Sequence, residues 1–78
     1  MKTMTCKQLG GACDIKLQAR TFAEMTEVSI QHGMEMLAEN DEAHIKAINI
    51  MKAIMQDPTT MQLWFSEKTA EFNALDDD

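Results

Sequence analysis

The sequence has no apolar run that approaches the roughly 20 residues needed to cross a bilayer. Residues 1–10 also contain no apolar stretch of signal-peptide length. We therefore expect no membrane association and a cytoplasmic location. Cysteines in such a compartment normally remain thiols, so a metal site or a reactive pair is favoured over a permanent disulfide.

Basic residues are also scarce. Seven Lys and Arg stand against 13 Asp and Glu, which gives a formal net charge of −6. Because an acidic protein repels the phosphate backbone, the composition predicts that the chain does not bind nucleic acid. Part of this charge lies in the final three residues, Asp76 to Asp78, which are expected to form a solvated acidic tail.

The chain has only three glycines and one proline, and it contains no internal repeat, low-complexity tract or Pro/Gly/Ser-rich linker that would mark a domain boundary. A chain of 78 residues is too short to form two separate hydrophobic cores. Its apolar share of 45% and charged share of 26% are typical of globular proteins. The sequence therefore predicts one domain over residues 1–75, followed by the tail at 76–78.

The N-terminal third carries the pattern of a β-hairpin. Residues 2–6 form a short segment rich in Thr and Met, and residues 14–19 alternate, with Ile15, Leu17 and Ala19 on one side. Between the two segments lies Gly10-Gly11, which supplies the backbone freedom that a tight reversal needs.

The remainder carries three helical patterns. Thr21 with Glu24 three residues later forms a capping box, and Asp41 caps a second helix. That helix must end by Asp57 because Pro58 follows, and Asp57 with Pro58 then opens a third. Apolar residues recur at helical spacing in each segment: Phe22, Met25, Val28, Met36 and Leu37; Ile45, Ala47, Ile48, Met51, Ile54 and Met55; and Met61, Trp64, Phe65, Phe72 and Leu75. The predicted fold is α+β, a β-hairpin packed on three amphipathic α-helices.

Two cysteines and a histidine form a candidate metal site. Cys6 and Cys13 flank the glycine turn, and His32 lies on the apolar face of the first helix. Zinc takes four nitrogen and sulfur ligands, although the six residues between these cysteines exceed the usual finger spacing. Glu27, His44 or water would be the fourth ligand.

The alternative for the cysteines is burial as small apolar residues, or a disulfide that contributes about 2.5 kcal/mol. His32 would then be a half-buried, hydrogen-bonded imidazole, and His44 is expected to be exposed.

A thiol- or metal-dependent enzyme is the less favoured alternative. Cys13 with His32 could form a nucleophile and base, but no third orienting group or oxyanion-hole motif accompanies them. A H-E-x-x-H signature is also missing. We therefore predict no catalytic residues, and the favoured class is a small non-enzymatic binding or accessory protein.

Eight methionines offer an alternative function, since thioether side chains form adaptable binding surfaces. Met34 and Ile50 fall outside the main apolar stripes of their helices and would leave apolar surface uncovered. The chain would then be a protein–protein interaction module, with a protein partner or, most simply, a homodimer.

Two segments resemble a known family: residues 4–14, MTCKQLGGACD, and residues 32–36, HGMEM. They are similar to short bacterial and archaeal proteins grouped as a domain of unknown function and labelled predicted small metal-binding proteins. A bacterial subgroup also shares residues 41–44, DEAH, and Trp64-Phe65. The resemblance implies metal binding through Cys6, Cys13 and His32. Many members have a further histidine about one turn earlier, where this chain has Glu27 and Val28, which weakens a four-ligand zinc site.

Overall fold

The structure is a computed structural model that describes residues 1–78, and it shows the predicted hairpin followed by three helices. None of the helices is both long and apolar enough to span a bilayer. The elements are β1 (Lys2–Thr5), a short 3-10 turn (Lys7–Leu9), β2 (Lys16–Ala19), α1 (Phe22–Ala38), α2 (Glu42–Gln56) and α3 (Pro58–Ala74). The predicted α+β fold class is thus confirmed.

The hairpin is antiparallel, with Lys2 opposite Ala19 and Thr5 opposite Lys16. Leu17 and Ala19 point inward and are buried, as the alternation predicted. Ile15 does not follow them, because the regular strand begins only at Lys16 and the Ile15 side chain is exposed. The expected strand over 14–19 is therefore too long at its N-terminal end.

The helix ends lie where local capping signals predicted them. Thr21 Oγ1 accepts from the Glu24 N–H at 3.1 Å, although the Glu24 carboxylate accepts from Arg20 N–H and not from that of Thr21. Asp57 caps α3, and Pro58 is its first residue. Between α1 and α2 the chain reverses at Asn40, which has a left-handed φ of 56°.

The apolar core lies between the hairpin, one face of α1 and the C-terminal end of α3. Its buried members are Met4, Leu9, Leu17, Ala19, Met25 and Phe72. No residue of α2 belongs to this cluster; α2 packs instead against α1 and α3. The second helix therefore depends on other contacts for its attachment to the hairpin.

The apolar stripe of α3 packs less completely than expected. Phe72 is buried, whereas Met61 and Phe65 remain exposed. The helix meets the hairpin only near its C-terminal end, where Lys2 Nζ donates to the Phe72 carbonyl at 3.2 Å and lies 5.0 Å from the ring centre. The N-terminal half of the stripe is thus only partly covered: the Phe65 ring meets that of Phe22 in α1 edge to face, with ring centres 6.4 Å apart, and still remains 39% exposed.

The three C-terminal aspartates are exposed. The final residue nevertheless contacts the hairpin: Asp78 N–H donates to the Met1 carbonyl at 2.7 Å, and its carboxylate accepts from Thr3 Oγ1 and Gln18 Nε2. The two chain ends thus lie side by side.

Candidate metal centre

Four side chains from three parts of the fold converge on one point: Cys6, Cys13, His32 and His44. Their sulfur and ring nitrogen atoms all lie within 4.8 Å of one another. Cys6 Sγ is 3.7 Å from His44 Nε2, and Cys13 Sγ is 3.3 Å from His32 Nε2. Tetrahedral zinc places neighbouring sulfur and nitrogen ligands about 3.6 Å apart. The cluster could therefore hold a metal ion.

The turn between the cysteines is built by local hydrogen bonds. Thr5 N–H donates to Gln8 Oε1 at 2.8 Å, and Gln8 N–H donates to Thr5 Oγ1 at 3.1 Å, a reciprocal pair like that of a capping box. Gly10 then takes a left-handed φ of 91°. Gly11 N–H donates to the Cys6 carbonyl at 2.8 Å. A Cβ on Gly11 would overlap Cys6 Sγ, so the absence of a side chain there leaves space for the sulfur.

The two thiols differ in their affinity for protons. Burial alone would raise the pKa of Cys6, but hydrogen bonding with the Cys13 and Ala12 backbone and with the His44 ring lowers its pKa overall. Burial raises the pKa of Cys13, and the neighbouring Cys6 sulfur raises it further. Cys6 is therefore the first of the pair to become a thiolate, the form that binds metal.

His32 lies in the middle of α1 on the face that also carries the buried Met25. Its side chain is only 8% exposed, so it is more deeply buried than the half-buried imidazole expected from the sequence. Its ring meets that of His44 edge to face, with ring centres 5.3 Å apart and an interplanar angle of 84°. The two imidazoles thus approach the cysteines from adjacent helices.

His44 is buried, at 5% exposure, and the expectation that it is exposed is wrong. Asp41, the N-cap of α2, holds it in place: Asp41 Oδ2 accepts from His44 N–H at 3.0 Å and from His44 Nδ1 at 2.5 Å. That contact raises the pKa of His44 and lowers the pKa of Asp41. It also leaves Nε2 free to face Cys6, the arrangement in which a carboxylate orients a metal-binding histidine.

Sequence reasoning identified Asp41 only as a helix cap and did not assign it this second contact. The signal available was the spacing D-x-x-H at Asp41 and His44, which places a carboxylate beside an imidazole in the first turn of a helix. Glu27, the other suggested fourth ligand, is exposed and lies outside the cluster. It precedes His32 by five residues, which turns it about 140° away around α1.

The pair considered for catalysis, Cys13 and His32, does lie within contact distance, at 3.3 Å. However, a second cysteine and a second histidine lie at the same point, which a nucleophile with its base does not require. His32 also makes no hydrogen bond to a carboxylate or other orienting side chain, unlike His44. The arrangement therefore resembles a set of metal ligands more closely than a nucleophile with its base.

Comparison with known proteins gives no match for this chain: no family model, curated protein or solved structure matches it. The geometry of the Cys/His cluster therefore has to support any functional assignment.

Proposed function

We propose that this chain is a small non-enzymatic metal-binding protein, in which Cys6, Cys13, His32 and His44 hold one zinc ion. The observation that carries the proposal is the convergence of these four donor atoms within 4.8 Å, although they come from a hairpin turn and two different helices. Two thiolates and two imidazoles form a donor set that zinc prefers, whereas magnesium and calcium prefer oxygen. The resemblance to small metal-binding proteins agrees with this assignment.

The site favours a structural role for the ion. Four protein ligands complete a tetrahedral shell, whereas catalytic zinc sites retain an open position for water. Cys6, His32 and His44 are all buried, which limits access by a substrate. Zinc bound here would stabilise the fold and would not activate a nucleophile.

The attachment of α2 to the rest of the fold is where a bound ion would add stability. The apolar core contains six buried residues and none from α2. Small domains with limited cores commonly use a metal or a disulfide as an additional link. An ion bound by His44 would fasten the first turn of α2 to both the hairpin turn and α1, and so supply the attachment that the core does not.

A disulfide between the cysteines is the competing arrangement, since both are free thiols. It would consume two of the four donors and contribute about 2.5 kcal/mol by closing a short loop. It would leave the two imidazoles facing each other with no shared partner. The convergence of both histidines on the sulfurs thus favours the metal over the disulfide.

The test is native mass spectrometry with elemental analysis of freshly purified, reduced protein. We expect one zinc ion per chain. The paired change Cys6→Ser and Cys13→Ser, and separately His44→Gln, should abolish stoichiometric zinc and lower the melting temperature. Glu27→Gln, at the exposed alternative position, is the matched control and should retain the ion.

Cobalt added to reduced, metal-free protein provides a second measurement, because its absorption spectrum reports tetrahedral coordination and thiolate ligation. Reduced, folded protein that takes up neither zinc nor cobalt would refute the proposal. So would stoichiometric binding that survives the loss of both cysteines.

A further inference from the structure

An apolar groove of about 290 Å³ runs between α1 and α2 and begins beside the Cys/His cluster. Half-buried side chains of α2, Ile48 and Met51, line it together with exposed side chains of α1. The latter are Ile30, Met34 and Leu37, spaced as one continuous ridge along the helix. A ridge and a groove of similar chemistry therefore lie side by side on one surface.

This surface differs in charge from the rest of the molecule. Thirteen of the 78 residues are acidic and the net charge is −6, yet none of the fifteen residues that line the groove is Asp or Glu. Lys52 is the only lysine or arginine there. Two copies of a strongly acidic chain could thus meet through this face with little repulsion between carboxylates.

The isolated chain also exposes more surface than a self-sufficient domain of its size. Its accessible surface is 5363 Å², whereas a folded monomer of 8.8 kDa exposes about 4,800 Å². The excess of about 600 Å² approaches the roughly 800 Å² that each partner buries in a standard interface. The radius of gyration of 12.3 Å likewise exceeds the value of about 11.5 Å typical of this length.

From these observations we infer that the groove is the self-association surface of a homodimer. Each chain inserts the α1 ridge, centred on Met34, into the groove of its partner, so that α1 and α2 of both copies form a four-helix layer. A two-fold interface requires one patch to carry both the projecting and the receiving element, and this surface carries both. The inference does not require zinc, because eleven of the fifteen lining residues belong to α1 and α2 and the hairpin turn supplies only the other four.

The test compares two changes of an apolar residue to glutamate at equally exposed positions. Met34→Glu places a carboxylate on the ridge, and Ile50→Glu places one on the opposite face of α2. Both side chains are 64% exposed, so neither change should disturb folding, which circular dichroism checks. Sedimentation equilibrium of the reduced, zinc-supplemented full chain then gives the dimer dissociation constant over a range of concentrations.

We expect a wild-type dimer, a dissociation constant raised about a hundredfold or more by Met34→Glu, and little change with Ile50→Glu. A wild type that stays monomeric up to millimolar concentration would overturn the inference, as would equal effects of the two changes. A monomer whose native mass spectrum contains a co-purified apolar molecule, or which binds an apolar peptide instead, would also overturn it and assign the groove to that ligand.

Discussion

Asp41 offers the sharpest test of whether His44 is a metal ligand. Its carboxylate accepts from His44 Nδ1 at 2.5 Å and so orients the opposite nitrogen towards Cys6. Asp41→Asn keeps an acceptor oxygen and a good helix cap but removes the negative charge. Loss of such outer contacts typically weakens metal binding 10- to 100-fold. Since the acceptor remains, we expect the lower end, about tenfold.

Asp57→Asn is the matched control, because Asp57 is likewise an N-cap, that of α3, and the change removes the same charge at the opposite end of α2 from His44. A zinc competition titration against a chelating dye measures both variants. It should be run at mildly alkaline pH, because the loss of Asp41 also lowers the pKa of His44 and would otherwise alter proton competition. Equal zinc affinities for wild type, Asp41→Asn and Asp57→Asn would refute the proposed orienting role.

Gly11→Ala should weaken zinc binding, as measured by metal titration, because its Cβ would overlap a ligand sulfur. Gly33→Ala should leave zinc binding unchanged and stabilise α1 by about 1 kcal/mol, as measured by thermal unfolding. Phe72→Ala should lower the free energy of unfolding by about 3–5 kcal/mol in urea titrations, and Phe65→Ala, at a position 39% exposed, by much less. Hydrogen bonds from two threonines lower the pKa of Asp57, so its stabilisation is complete above pH 3.8 and is lost as pH falls through the lowered pKa; the difference in melting temperature between wild type and Asp57→Asn should shrink accordingly on acidification.

The order of the elements and the limits of the helices were predictable because their signals are local. Thr21 and Asp57 cap the helices that follow them, and Pro58 separates α2 from α3. Such signals act through hydrogen bonds and backbone angles within a few residues. They required no knowledge of which helix packs against which.

The packing of α3 was less predictable, because local signals do not specify tertiary contacts. Helical periodicity identifies its apolar face but does not specify whether another element covers that face. Phe72 is covered because both Lys2 of the hairpin and Phe22 of α1 reach it, whereas Phe65, two turns earlier in α3, meets Phe22 only edge to face and stays exposed. An apolar stripe is thus a property of one helix, whereas the burial of that stripe depends on the whole fold.

The candidate site likewise contains residues that local signals relate and one residue that only the tertiary fold brings in. Cys6, Cys13 and His32 stood out because a turn and one helical face relate them directly. His44 remained one of three alternatives, because its position depends on the reversal at Asn40 that brings α2 back along α1. That reversal rests on a single left-handed residue, and its consequence for His44 appears only in three dimensions.

The proposed zinc site and the proposed dimer surface adjoin each other at the hairpin turn, where Gly10 lies so close to the Met51 side chain that a Cβ on Gly10 would overlap it. Cys6 and His44 also line the end of the groove. A metal that fixes the hairpin turn would therefore fix one wall of the groove, and a partner that covers the groove would limit movement of that turn. Linked binding equilibria are reciprocal. If zinc raises the affinity between the two copies by some factor, dimerisation must therefore raise the affinity for zinc by the same factor. Neither the zinc ion nor the dimer contact then has to stabilise α2 alone, since each would hold a different part of that helix. The ion would hold its first turn, and the second copy would cover the apolar face that follows.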